Sequence, residues 1–106
     1  MVNMYRNEDI SRIVAFIPPG HKHVRLLIEA RDQSILLQEA TIAAIVRAYI
    51  NITTHPTRRA VELTGRYVDS GKEGYARYQL IESSRSEDEV VVEVLDRLER
   101  YKYNSR

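Results

Sequence analysis

Apolar and polar positions alternate through much of the first third of the chain. From His23 to Arg31 (HVRLLIEAR), Val24, Leu26, Ile28 and Ala30 fall on one face, and Arg25, Leu27, Glu29 and Arg31 on the other. That period of two predicts a half-buried strand. An earlier apolar run, Arg12 to Ile17, reads as a strand stopped by Pro18-Pro19-Gly20, because proline supplies no N–H to a ladder. Arg31 to Ser34 then reads either as a hairpin turn into a strand at Ile35 to Gln38, or as the cap of a helix. The hairpin is preferred, with a helix starting near Ala40.

The period changes at that point. Ile42, Ile45, Val46 and Tyr49 have i, i+3, i+4, i+7 spacing, which predicts a helix over at least Thr41 to Ile52. The His55-Pro56 pair ends it, since a residue before proline avoids the helical region. Ala43, Ala44 and Ala48 lie on its other side and offer a second close-approach surface. Alternation resumes over Arg59 to Val68. Turn residues Asp69 to Gly74 and a partner strand over Tyr75 to Glu82 complete a hairpin. In that partner strand Ala76, Tyr78 and Leu80 form the inner set, and Tyr75, Arg77, Gln79 and Ile81 the outer.

Ser86-Glu87-Asp88-Glu89 is a capping box opening a last helix. Val91, Val94, Leu95, Leu98 and Tyr101 form its apolar stripe. Acids gather at its start and Arg97, Arg100 and Lys102 at its end, as the helix dipole favours. Glu93–Arg97 and Asp96–Arg100 have the spacing of i,i+4 pairs.

Strand, strand, strand, helix, hairpin, helix gives the expected architecture. It is a single α+β domain over residues 1–106, frayed over 1–9. The fold is a two-layer sandwich with a mostly antiparallel sheet of four or five strands and two helices packed on one face, in part ferredoxin-like. The expected core includes Val24, Leu26, Ile28, Ile42, Ile45, Val61, Leu63, Leu80, Val94, Leu95 and Leu98.

Composition changes this picture little. At 106 residues, 43% apolar and 29% charged, the chain reads as one folded domain with a thin core. The absence of Cys excludes disulfides, thiolate metal sites and thiol catalysis. A formal charge of +1 makes no global demand for nucleic acid or membrane. Arg supplies 13 of the 16 bases, which fits a heat-adapted source or a GC-rich genome. Residues 1–9 lack a basic region followed by an apolar core, and no apolar run approaches a bilayer span, so a cytoplasmic protein is expected.

Three constellations carry candidate chemistry. His21-x-His23 points two imidazoles to the same side of a strand, a pair usable by Zn²⁺, with His55 as a third ligand if its loop folds back. Solvated strand-entry histidines are the simpler reading. Glu29 and Glu62 would form an acid–base pair if they shared a face, but an ion pair with a neighbouring Arg explains each more simply. No nucleophile elbow, zincin motif or dinucleotide loop is present, and catalysis is not favoured.

The third is the sheet face away from the helices. There Arg25, Arg31, Arg66 and Arg77 would present guanidinium forks to phosphates or carboxylates, and Tyr75 a stacking ring. Gly74-Tyr75-Ala76 resembles the third-strand signature of RNA-recognition-motif domains, and departs from it at Glu73, Arg77 and Leu80. The resemblance implies nucleic acid among the anionic ligands expected for that face. Leu27 and Ile81 on the same face suggest that a second copy covers it. The expected function is therefore a non-catalytic homo-oligomeric module binding an anionic ligand or nucleic acid, with no cofactor and no resident metal. The alternative is a small metal-binding protein or enzyme built on His21, His23 and His55.

Overall fold

The computed structural model describes residues 2–69, 71 and 77–101. Among the described residues the strands are β1 (Ile10–Phe16), β2 (Arg25–Ala30), β3 (Ser34–Gln38), β4 (Leu63–Tyr67) and β5 (Tyr78–Glu82). Helix α1 (Glu39–Thr54) follows β3 directly, and helix α2 (Glu87–Tyr101) follows β5. The hairpin reading of Ile35 to Gln38 holds, and α1 begins one residue before Ala40. The fold is α+β with antiparallel sheets. Its strands divide into a three-stranded sheet in the order β1-β2-β3 and a two-stranded ribbon β4-β5, where one sheet of four or five strands was expected. Alternation reports which side chains share a face, not which strand lies beside which.

The chain forms two compact units, Met1–Ile42 with Leu95–Arg106, and Ala43–Val94. The boundaries fall inside α1 and α2. In the first unit the register places Ile13, Ile28 and Ile35 in one cross-strand row, and Ala15, Leu26 and Leu37 in another on the same face. The opposite face carries a Val14–Leu27–Leu36 row between the polar row Arg12–Glu29–Ser34 and the mixed row Phe16–Arg25–Gln38. Arg25, Leu27 and Glu29 thus share a face, as the alternation predicts.

The start of β2 is set by a side chain distant in sequence, and its end by a local turn. The Val24 N–H donates to the Glu39 carboxylate at 2.8 Å, so the strand begins at Arg25. The Ala30 N–H donates to the Gln33 carbonyl at 2.9 Å, closing the turn into β3. The segment expected to fray makes specific bonds. The Tyr5 hydroxyl donates to Asp32 at 2.9 Å and accepts from Gln33 at 2.6 Å, and the Asp9 carboxylate pairs with Arg31 at 2.6 Å. Gly20, at φ 77°, closes the turn after Pro18-Pro19 in the left-handed region that disfavours other residues.

In the second unit β4 is shorter than the alternation suggests, and a carboxylate explains why. The Arg59 and Ala60 N–H groups both donate to Glu87 at the start of α2, at 2.6 and 3.0 Å. Their donors are taken before a strand partner can use them. The capping box forms as read: the Glu89 N–H donates to the Ser86 hydroxyl at 3.2 Å, and the Ser86 N–H to the Glu89 carboxylate at 3.4 Å. Ser86→Ala removes this cap and should lower stability by about 1 kcal/mol. The check is urea denaturation, in which an unchanged midpoint would show the cap to be dispensable.

Burial departs most from expectation. Among the described residues only Ala44, at 1% exposure, and Val90, at 7%, are buried. Val24, Leu26, Ile28, Ile42, Val61, Leu63, Leu80 and Leu98 are half-buried. Ile45, Val94 and Leu95, expected in the core, are exposed. On α1 the protected line is Thr41, Ala44, Ala48, Asn51 and Ile52, while Ile45, Val46, Tyr49 and Ile50 on the other side are open. The helical period is as read, but the small-residue side is the one this chain covers.

Candidate functional site

The guanidinium residues sit on both sheets. Arg25 lies on β2 and Arg31 one residue past its end, whereas Arg66 lies on β4 and Arg77 immediately before β5. No single sheet carries all four, which corrects the expectation of one Arg-lined face. Tyr75 lies outside the described residues, as do Glu73, Gly74 and Ala76 of the resemblance to RNA-recognition-motif domains. The Arg100 and Tyr101 side chains are likewise outside them.

Arg31 is engaged within its own unit by the Asp9 carboxylate. Arg25 donates only weakly, to the His23 and Val24 carbonyls at 3.4 and 3.5 Å. In the ribbon, Arg66 pairs in register with Gln79, and Thr64 with Ile81, so these four share a face. The Val68 N–H donates to the Arg77 carbonyl at 2.6 Å, which extends the ladder by one rung and puts Arg77 on that face too. Neither Arg66 nor Arg77 has a carboxylate partner among the described residues. The opposite face of the ribbon holds Leu63, Leu80, Tyr67 and Tyr78, with the two tyrosine rings edge-to-face at 5.6 Å. The ribbon therefore offers two cations and an amide on one side, and apolar and aromatic surface on the other.

The carboxylates are occupied differently from the acid–base reading. Glu29 accepts from Ser34 and from Arg12, at 3.2 Å for the latter, and these bonds hold its carboxyl below the ordinary value of 4.5. Glu62 accepts from Arg85 at 3.1 Å, and Arg85 also reaches Glu93 at 3.2 Å. The Glu93 bond is the leading reason that the Arg85 guanidinium is held above its usual range. Glu29 and Glu62 belong to different units, and each has an Arg, so the ion-pair reading accounts for both. Sequence reasoning missed the Arg85–Glu62–Glu93 network and the Arg58–Glu82 pair. Helical or strand periodicity carries no signal for either, since each joins separate elements.

The histidines have ordinary surroundings. His23 Nδ1 lies 3.0 Å from the Glu39 carboxylate. The His21 N–H donates to the Pro18 carbonyl at 3.0 Å, and His55 follows the end of α1 in the other unit. Among the described residues no three His, Cys, Asp or Glu side chains are grouped to hold a metal ion. The histidine-based alternative thus gains no geometric support. No helix among the described residues is long and apolar enough to cross a membrane. The chain matches no protein-family model, no curated protein and no solved structure.

Proposed function

We propose that this chain is a non-catalytic, cytoplasmic module that works as a homo-oligomer and presents guanidinium groups to an anionic ligand such as nucleic acid. One observation carries the oligomeric part. Among the described residues fourteen large apolar side chains are exposed, while only Ala44 and Val90 are buried. Large exposed apolar patches mark interaction sites, so these side chains are read as contact residues. The anionic part rests on Arg66 and Arg77, which share a ribbon face without a carboxylate partner among the described residues. Arg25 on the other sheet is a further contributor.

A salt titration with single-stranded RNA and DNA tests the anionic part. Binding should weaken linearly in log–log terms, with a slope near −0.7 for each phosphate contacted. The double substitution Arg66→Ala, Arg77→Ala should lower that slope by about 1–2. No binding at low salt, even at high protein concentration, would reject the nucleic-acid reading. Light scattering on the same preparation tests the oligomeric part, which a mass of 12.3 kDa would end.

A further inference from the structure

We infer that the β4-β5 ribbon seats its arginine face in the major groove of duplex DNA. The inference rests on the nucleic-acid reading above and names the form of nucleic acid that this face takes. The register sets Thr64 opposite Ile81 and Arg66 opposite Gln79, and the bond from the Val68 N–H to the Arg77 carbonyl adds Arg77 to the same side. Arg66, Arg77 and Gln79 are exposed. Arg66 and Arg77 are diagonal neighbours across the two strands, a relation that puts Cα atoms about 7–8 Å apart. That is close to two base-pair steps of about 3.4 Å each.

The charge on this face is one-sided. Neither arginine has a carboxylate partner among the described residues. At the other end of the face the Ser83 N–H donates to the Glu62 carbonyl at 3.0 Å, which brings Glu62 onto the same side. Its carboxylate is already paired with Arg85 at 3.1 Å. Positive charge is left unbalanced at the Arg66–Arg77 end, and a polyanion is its complement.

The arrangement favours a duplex groove over a single strand. Single-strand platforms set aromatic rings beside their cations, so that bases stack where the backbone is neutralised. The rings that the structure describes on this ribbon, Tyr67 and Tyr78, lie on the other face and meet edge-to-face at 75°. The two guanidiniums are accompanied instead by the Gln79 amide, the Thr64 hydroxyl and the Ile81 side chain. These groups answer base edges in a major groove. An Arg fork matches guanine N7 and O6, a Gln amide matches adenine N6 and N7, and an apolar side chain meets the thymine methyl.

Width points the same way. Among the described residues the ribbon has two strands and no third. Neighbouring strands lie about 4.8 Å apart, and the B-form major groove, about 12 Å wide, admits a two-stranded ribbon. The minor groove, about 6 Å wide, does not. The major groove of duplex RNA is too deep and narrow for side chains to read.

The test is fluorescence anisotropy on the full chain with three labelled probes of one mixed sequence: duplex DNA, the same DNA as a single strand, and the same sequence as duplex RNA. Duplex DNA should bind tightest. Arg66→Ala with Arg77→Ala should weaken duplex binding about 50-fold at about 0.1 M salt, the loss of two cationic contacts. Arg47→Ala, an exposed control on α1, should leave binding nearly unchanged. Competition on the wild type gives a readout that needs no variant: methyl green, which occupies the major groove, should displace the protein, and distamycin, which occupies the minor groove, should not. No binding of any probe at low salt overturns this inference together with the nucleic-acid reading. If the double variant then changes the mass of the free assembly, the face belongs to a second copy instead. Equal or tighter binding of the single strand or of duplex RNA overturns this inference alone. A folded double variant with wild-type affinity does the same, as does displacement by distamycin and not by methyl green.

Discussion

Ala44→Asp should abolish cooperative folding, while Ala40→Asp, one turn earlier on the same helix, should be nearly neutral. Ala44 is 1% exposed, so the new carboxylate must either be buried unpaired or roll the helix out of place. Either route costs about 4 kcal/mol or more. A domain of this size has roughly 5–15 kcal/mol in total. With so few of the described residues buried, the loss of this one site weighs heavily. Ala40 is exposed and lies in the first turn of α1, where the helix dipole favours an acid by a few tenths of a kcal/mol. Far-UV circular dichroism and urea denaturation of the two variants give the comparison. A soluble Ala44→Asp protein with the wild-type midpoint would mean that the packing of α1 described here is wrong.

The second large effect is acid unfolding that begins near pH 4.5. Among the described residues four carboxylates are held below their ordinary value by donors supplied in the fold. Glu87 is held chiefly by the Arg59 N–H and then the Ala60 N–H, and Glu39 by the Val24 N–H and then His23. Glu29 is held by Ser34 and then Arg12, and Glu89 by the Ser86 hydroxyl and then the Ser86 N–H. A folded-state pKa below the unfolded value gives stability that is fully present above about 4.5 and is lost as pH falls through the lower, folded value. The urea midpoint should therefore be flat from pH 7 to about 5 and decline below 4.5. Glu87→Gln keeps an acceptor oxygen but removes the charge. Its midpoint should sit below wild type at pH 7 and converge with it at low pH. Glu39→Gln repeats the test in the other unit. A wild-type midpoint that stays level from pH 6 to pH 3 would show that these bonds contribute nothing.

Those carboxylates also explain what the sequence could and could not disclose. Alternation located β2, β4 and β5, the apolar run before Pro18 located β1, the hairpin reading located β3, and the Ser86–Glu89 signature located α2, because these signals lie within a few residues. The starts of β2 and β4 were misjudged because Glu39 and Glu87 capture backbone donors from 15 and 27 or 28 positions away. No local rule sees such a bond. The stripe on α1 was legible in its spacing, but periodicity states that a face is apolar and not what covers it. Ile45 was therefore assigned to the core, whereas it is 53% exposed. The single guanidinium face was expected for a related reason: alternation assigns Arg25 and Arg66 each to a face of its own strand, but not to a common sheet. The ion pairs that occupy Arg31, Glu29 and Glu62 form between separate segments and leave no trace in composition.

Glu29 has a consequence for how the three-stranded sheet chooses its alignment. Both faces of β2 carry aliphatic side chains, so sliding a neighbour by one residue would trade one greasy row for another at small cost. Glu29 is bonded to Arg12 on one neighbour and to Ser34 on the other, in the only row that mixes an acid, a base and a hydroxyl. It acts as a pin through three strands. A valine there would preserve the oil and lose the alignment mark.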